Sequence, residues 1–409
     1  MSDAQFDVVV FGATSFVGQI LCQYLTDIYG VDGDLKWAAA GRSKDKLEQV
    51  KAQLGQAGSA LPLLTADAND AASLDTLCAQ TRVVISTVGP YALYGEPMIR
   101  ACVSSGTDYC DLTGEVQWIA AMLEKYEDQA KQSGARIVHC CGFDSIPSDM
   151  GTYFLQQQAR ARFKAPATRV KMRVKVAKGG VSGGTVASMM NIAEEAGKDP
   201  ALRKKLANPY LLCPPNHGFS ARQDSISMPR KDDDFGAWAA PFVMDAINSR
   251  IVHRSNALNG NAYGDNFTYN EAMLAGPGMG GRMKALGIGT GTGLFFAAAA
   301  IKPTRWLLNK FVVPQPGEGP SPEAQKAGFY DIRFFGVTDN NDSIRVKVTG
   351  DADPGYGSTA KLLGQAAACL AQDVPADAPG GFWTTSSLLG DSLLKRLQEK
   401  AGMTFTVID

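Results

Sequence analysis

Tyr91, Tyr94 and Asp144 have the side-chain type and the setting to move a proton beside a bound nucleotide. The two tyrosines follow Gly89-Pro90 at the end of a strand-like run, and Asp144 sits in Gly142-Phe143-Asp144-Ser145. A tyrosine is protonated at neutral pH, whereas an aspartate must be held far above its ordinary pKa to donate there. The order of candidates is therefore Tyr94, Tyr91, Asp144. What they would serve is set at the start of the chain. There Gly12-Ala13-Thr14-Ser15-Phe16-Val17-Gly18 follows an apolar run and opens a helical apolar pattern. A helix N-terminus leaves N–H groups unpaired and carries partial positive charge, so this loop reads as a cradle for a diphosphate.

Gly12 takes the tight turn and Gly18 lets the helix lie on the strand. Ser15 stands where the usual pattern has its middle glycine, and its hydroxyl is placed to donate to a phosphate oxygen. A second strand over residues 35–40 ends in Gly41-Arg42-Ser43-Lys44, with no carboxylate to accept from a ribose. Arg42, Ser43 and Lys46 offer donors and positive charge instead, which suits the 2′-phosphate of NADP. The alternative is that they are only the solvated start of a helix. Asp67, where a third strand would end, either contacts the adenine amino group or caps the helix beginning near Ala71. A fourth strand over 82–87 delivers Thr87, Val88, Gly89, Pro90 and Tyr91 to the nicotinamide half of the site.

Six strands alternating with helices predict an α/β fold, a Rossmann-type doubly wound parallel sheet over residues 1–155. From about Thr168 the pattern changes to alternating basic and apolar residues, as at 169–176, 330–337 and 343–348, the last two joined as a hairpin. This predicts a second α+β domain with a mixed sheet over 156–380, for substrate or dimerisation, its lysines and arginines on a solvated face. The final segment, 381–409, reads as a helix and strand returning to the first domain.

Composition excludes several classes. Forty Lys and Arg against forty-one Asp and Glu give a net charge of −1, so nothing favours nucleic acid. The histidines and cysteines lack metal-ligand spacing, so no metal is expected, and scattered cysteines without an export signal point to the cytoplasm. The apolar insert 285–313 stands apart. Residues 285–301 are uncharged, short for a membrane span, and Trp306, Leu307, Leu308 and Phe311 follow with cations between them. A buried helix, a homodimer contact or a peripheral membrane contact each accounts for it.

Several stretches together resemble the saccharopine dehydrogenase-like oxidoreductases: the 12–18 loop, Val88-Gly89-Pro90-Tyr91 with Tyr94-Gly95-Glu96-Pro97, Asp111-Leu112-Thr113-Gly114-Glu115, the segment 142–149, and Gly355-Tyr356 with Thr359-Ala360-Lys361. They are most similar to the branch that includes the trans-acting enoyl reductases and the animal homologue associated with lipid droplets. The resemblance implies an NADP-binding Rossmann domain and a second α/β domain, but not saccharopine as substrate, since no set of carboxylate-binding arginines is evident. The expectation is an NADPH-dependent oxidoreductase acting on a small, lipid-like or acyl-type substrate. The alternatives are a non-catalytic NADP-binding sensor or scaffold at a lipid surface, and an amino-acid (imine) dehydrogenase.

Overall fold

Short apolar strands separated by capped helices give the first half of the chain its parallel sheet. The computed structural model describes residues 4–180, 183–311 and 319–409. In chain order its strands are β1 (Phe6–Phe11), β2 (Trp37–Gly41), β3 (Leu63–Thr65), β4 (Thr81–Ser86), β5 (Asp108–Asp111), β6 (Arg136–Val138), β7 (Arg169–Lys178), β8 (Arg230–Asp232), β9 (Ala237–Ala240), β10 (Thr268–Gly276), β11 (Phe329–Val337), β12 (Ser343–Gly350), β13 (Gly381–Trp383) and β14 (Thr404–Val407). The helices are α1 (Phe16–Tyr29), α2 (Lys44–Gln53), α3 (Ala71–Cys78), α4 (Tyr91–Tyr94), α5 (Glu96–Ser105), α6 (Val116–Ser133), α7 (Ile146–Phe163), α8 (Gly183–Lys198), α9 (Pro200–Leu206), α10 (Asp245–Leu258), α11 (Gly278–Ala300), α12 (Lys302–Phe311), α13 (Pro322–Lys326), α14 (Thr359–Gln372) and α15 (Gly390–Lys400).

The chain divides into two units. The first comprises residues 4–146, 319–320 and 355–402 among those described. Its sheet is all parallel, in the order β13-β6-β5-β4-β1-β2-β3. The chain runs outward from β1 through β2 and β3, then returns to β4 on the other side of β1. That reversal makes the switch point at which Rossmann folds collect ligands. Val8, Val9 and Val10 are wholly buried, and Val9 pairs with Val84 and Phe11 with Ser86. A strand sealed on both faces has to be continuously apolar.

This unit differs from the sequence expectation at its edge and its boundary. The sheet has a seventh strand, β13, which pairs Phe382 with Ile137 of β6, and α14 belongs here rather than to a domain reaching residue 380, together with the C-terminal helix α15, which was expected in this unit. The small residues of α14 suit its place: a Cβ on Gly364 would lie 3.0 Å from the Tyr24 ring and 3.1 Å from Leu21, tighter than ordinary contact, so glycine eases the close approach of α14 to α1. Gln365 Nε2 then donates to Tyr24 Oη at 2.8 Å.

The second unit comprises 147–180, 183–311, 321–354 and 403–409 among the described residues. Its mixed sheet runs β14-β12-β11-β7-β10-β9-β8, with β7 and β10 parallel and the other neighbours antiparallel. The expected hairpin is present, pairing Tyr330 with Gly350 through Val337 with Ser343. The last strand, β14, pairs Phe405 with Val348 in this sheet, so the C-terminal segment sends its helix to one unit and its strand to the other. The basic alternation is not simply a wet face either. Arg173 is wholly buried, its Nε donating to Asp232 Oδ2 at 2.7 Å, and Arg345 lies 4.4 Å above the Phe335 ring. Buried cations persist where a carboxylate and aromatic faces replace their water.

Candidate active site

The cradle begins with Gly12, whose φ of +91° is open to glycine and strained for other residues. A Cβ there would stand 2.6 Å from Thr87 Oγ1, and one on Gly18 would stand 2.3 Å from the Gly12 carbonyl oxygen. Both glycines are therefore required by close approach. Ser15 caps α1, its Oγ accepting from the Gly18 N–H at 2.9 Å and sharing a hydrogen bond with Thr87 Oγ1 at 2.9 Å. Thr87 Oγ1 also donates to the Gly12 carbonyl at 2.9 Å. The Ser15 hydroxyl is thus spent inside the loop, contrary to the expected phosphate contact. Thr87 braces the same turn from β4. The N–H groups of Phe16 and Val17, first in α1, have no acceptor within the helix, the arrangement that can receive a diphosphate.

At the end of β2, Ser43 caps α2, while Arg42 and Lys46 are exposed. Among the described residues Arg42 makes no ion pair. An unpaired guanidinium beside a strand end without a carboxylate fits the 2′-phosphate of NADP. Asp67 does not cap α3; Asp70 does, accepting from the Ala72 N–H at 3.1 Å. Asp67 instead closes a turn by accepting from the Asn69 N–H at 3.0 Å.

The β4 loop passes through a cis Gly89–Pro90 peptide into α4. Glu115 is buried and clamps this helix start, its two carboxylate oxygens accepting the N–H groups of Tyr91 and Ala92, each at 2.9 Å. Tyr91 is buried and committed: its hydroxyl donates to the Ser86 carbonyl at 2.9 Å and accepts from the Leu112 N–H at 3.2 Å. Burial pushes its pKa well above the usual value, with Asp111, Asp144 and Glu115 adding to the rise. Such a phenol anchors the loop and is a poor proton donor. Tyr94 is 41% exposed at the far end of α4.

Asp144 lies in the loop after β6. The residue is half-buried, yet its Oδ2 is closed off from solvent with no hydrogen-bond partner among the described residues. Burial first, and then the charge of Asp111, push its pKa well above the usual carboxylate value, against backbone N–H groups that pull it down. Asp144 therefore keeps its proton to higher pH than an ordinary carboxyl. Gly142 leaves it room: a Cβ at that residue would stand 2.7 Å from Asp144 Oδ2 and 3.0 Å from the Thr359 methyl group. The Phe143 N–H donates to Thr359 Oγ1 at 3.0 Å, and the Tyr356 ring meets Phe16 edge-on at 4.8 Å. Glu115, Asp111, Thr359 and Tyr356 were not among the residues singled out by chemistry. Their signal was positional, since each lies in one of the stretches that carry the family resemblance.

A glycine-braced helix N-terminus, an unpaired arginine at the second strand end and a proton-holding carboxyl on the same sheet edge define an NADP-dependent oxidoreductase. The family model for the saccharopine dehydrogenase NADP-binding domain matches residues 8–138. A Mycobacterium tuberculosis protein named provisionally as a trans-acting enoyl reductase is 39% identical over 96% of this chain and 95% of its own. The trans-acting enoyl reductase of Mycobacterium bovis is 34% identical over 97% and 96%. The chain belongs to this saccharopine dehydrogenase-like family. Among solved structures, the Saccharomyces cerevisiae saccharopine dehydrogenase (L-Glu forming) in its apo form shares the fold, with a TM-score of 0.53 at 13% identity over 99% of this chain and 100% of that one.

Proposed function

We propose that this oxidoreductase reduces the carbon–carbon double bond of an α,β-unsaturated acyl group, with Asp144 as proton donor. The observation that carries the reading is the Asp144 carboxyl, with an unpartnered Oδ2 closed off from solvent and a pKa well above the usual value, in the unit that bears the nucleotide cradle. The names of the mycobacterial relatives supply the substrate class. NADPH, when bound, supplies a hydride, which in this reaction goes to the β carbon. The α carbon then needs a proton, and a neutral carboxyl shielded from water can deliver it, leaving the saturated acyl group and an aspartate that regains its proton from solvent. The chain's other residues act by position. Gly12, Gly18, Ser15 and Thr87 shape the cradle, Arg42 recognises the 2′-phosphate, and Glu115 with Tyr91 fixes the loop after β4.

The test is incubation with NADPH deuterated at the transferable position and a panel of enoyl thioesters, oxo acids and imines, read by mass spectrometry. Deuterium at the β carbon of an acyl chain is the expected result. Label only in an amino acid formed from an oxo acid and an amine would replace this reading with an imine dehydrogenase.

A further inference from the structure

In α11 the inward stripe is Gly281, Ala285, Ile288, Gly289 and Ala299, at helical spacing. Ala285 packs with Ala240 and Ala275, with Trp238 and Ile288 against them, and a Cβ on Gly289 would press on Pro229 at 2.9 Å. That face is satisfied by the protein. The opposite face carries Met279, Met283, Leu286 and Leu294, and Leu294 is 65% exposed. A helix with apolar side chains on two opposite faces belongs inside a protein or in contact with lipid, and this one has protein on one side only among the described residues. α12 then turns away at 115° with Trp306 and Leu307 exposed. Eight of the fifteen exposed large apolar side chains among the described residues fall between 279 and 307, so the exposure is concentrated here. Among the described residues no single helix is long and apolar enough to cross a membrane. Val312 and Val313, the end of the insert, lie outside the described residues.

Charge selects the occupant. Residues 272–317 contain five cations, Arg282, Lys284, Lys302, Arg305 and Lys310, and no carboxylate. Arg305 pairs with Glu194 of α8, while Arg282, Lys284 and Lys302 are exposed beside the apolar stripe. A second copy docking through the same patch on a two-fold axis would meet its own positive charge. Anionic lipid headgroups supply the opposite charge, and the acyl region beneath them takes the apolar side chains. We infer that the bent α11–α12 pair docks the protein on an anionic lipid surface, lying in the interface without spanning it. The inference is independent of the proposed reaction.

The experiment is flotation of the full chain with phosphatidylcholine vesicles, with and without phosphatidylglycerol, for the wild type and a Leu294→Asp/Trp306→Asp double variant. Both side chains are exposed, so NADPH binding should be unchanged and reports that the variant is folded. Support is wild-type flotation only with the anionic vesicles, weakened at least about ten-fold in the variant and by high salt. The inference is overturned if the wild type floats with neither vesicle, if it floats equally with both, or if the variant floats as well as the wild type. It is also overturned if the wild type is a dimer that the substitutions convert to monomers, because the patch would then be an interface between copies.

Discussion

Asp111 Oδ2 lies 2.7 Å from His139 Nδ1, with both side chains buried. The other oxygen, Oδ1, accepts the N–H groups of Thr113 and Cys140 at 3.1 Å each. The carboxylate is thus fixed at the ends of β5 and β6, where its charge raises the pKa of Asp144. The donors fix the place of one acid, and its charge raises the pKa of its neighbour.

Asp144→Asn keeps the shape and removes the proton. Turnover should fall about 100- to 10,000-fold, the usual contribution of a general acid, with the NADPH Kd unchanged. In the wild type the basic limb of kcat should mark deprotonation of Asp144 as pH rises through its elevated pKa. The sign for stability is the same. A raised carboxyl pKa contributes stability that is full below the unfolded value, about 4, and is lost as pH rises through the folded value. The variant lacks that loss, so its Tm relative to wild type should climb with pH. Wild-type kcat in this variant would move the donor role elsewhere, with Tyr94 the next to test.

Asp111→Asn separates an electrostatic role from a structural one. Without the Asp111 charge Asp144 holds its proton less tightly, so the basic limb of kcat should move toward lower pH. Stability should fall by about 1–3 kcal/mol, since His139 and two buried N–H groups exchange a carboxylate acceptor for a weaker amide oxygen. A melt with a lower Tm but an unmoved pH profile would leave Asp111 as a scaffold residue only.

Much of this was legible in the chain because it is local. The Gly12 to Gly18 loop, the strand-helix alternation and the basic end of β2 need only neighbouring residues to be read. What was not legible depends on long-range pairing. Nothing local marks Gly381-Phe382-Trp383 as the strand beside β6, or Phe405 as a partner for Val348 in the other sheet. The Asp144 proton is likewise set by burial and by Asp111, which lies 33 positions away in the sequence. The Ser15 hydroxyl looked free for a phosphate because one of its partners, Thr87 Oγ1, appears only once β4 stands beside β1.

The proposed reader of the 2′-phosphate is Arg42. Arg42→Ala should weaken NADPH by about 10- to 150-fold, corresponding to roughly 1.5–3 kcal/mol for a charge-assisted contact, and leave NADH nearly unchanged. Titration of intrinsic fluorescence with each nucleotide measures both. Equal weakening of the two would mean that Arg42 supports the loop rather than reading the phosphate.

The second unit carries its own pH dependence. Glu271 is wholly buried on β10, accepting from Tyr269 Oη at 2.6 Å through Oε1 and from Asn248 Nδ2 at 2.8 Å through Oε2. The Glu271 N–H donates to Asp245 Oδ1 at 3.0 Å, which ties the two acids to one another. Burial raises Glu271 to about 7 and Asp245 to about 6. Both pKa values are raised, so their stability contribution is full only below the unfolded values, about 4, and is lost as pH rises to about 6 for Asp245 and to about 7 for Glu271. For Glu271 alone the loss approaches about 3 kcal/mol above neutrality, an upper figure because the two acids titrate together. Urea melts of the wild type should therefore show stability falling between about pH 4 and pH 7. Glu271→Gln gives up an acceptor and should cost about 1–2 kcal/mol in mild acid. Its amide cannot ionise, so its slope with pH should be shallower and the two curves should converge above neutrality. Parallel curves across the range would show that Glu271 is not the group responsible.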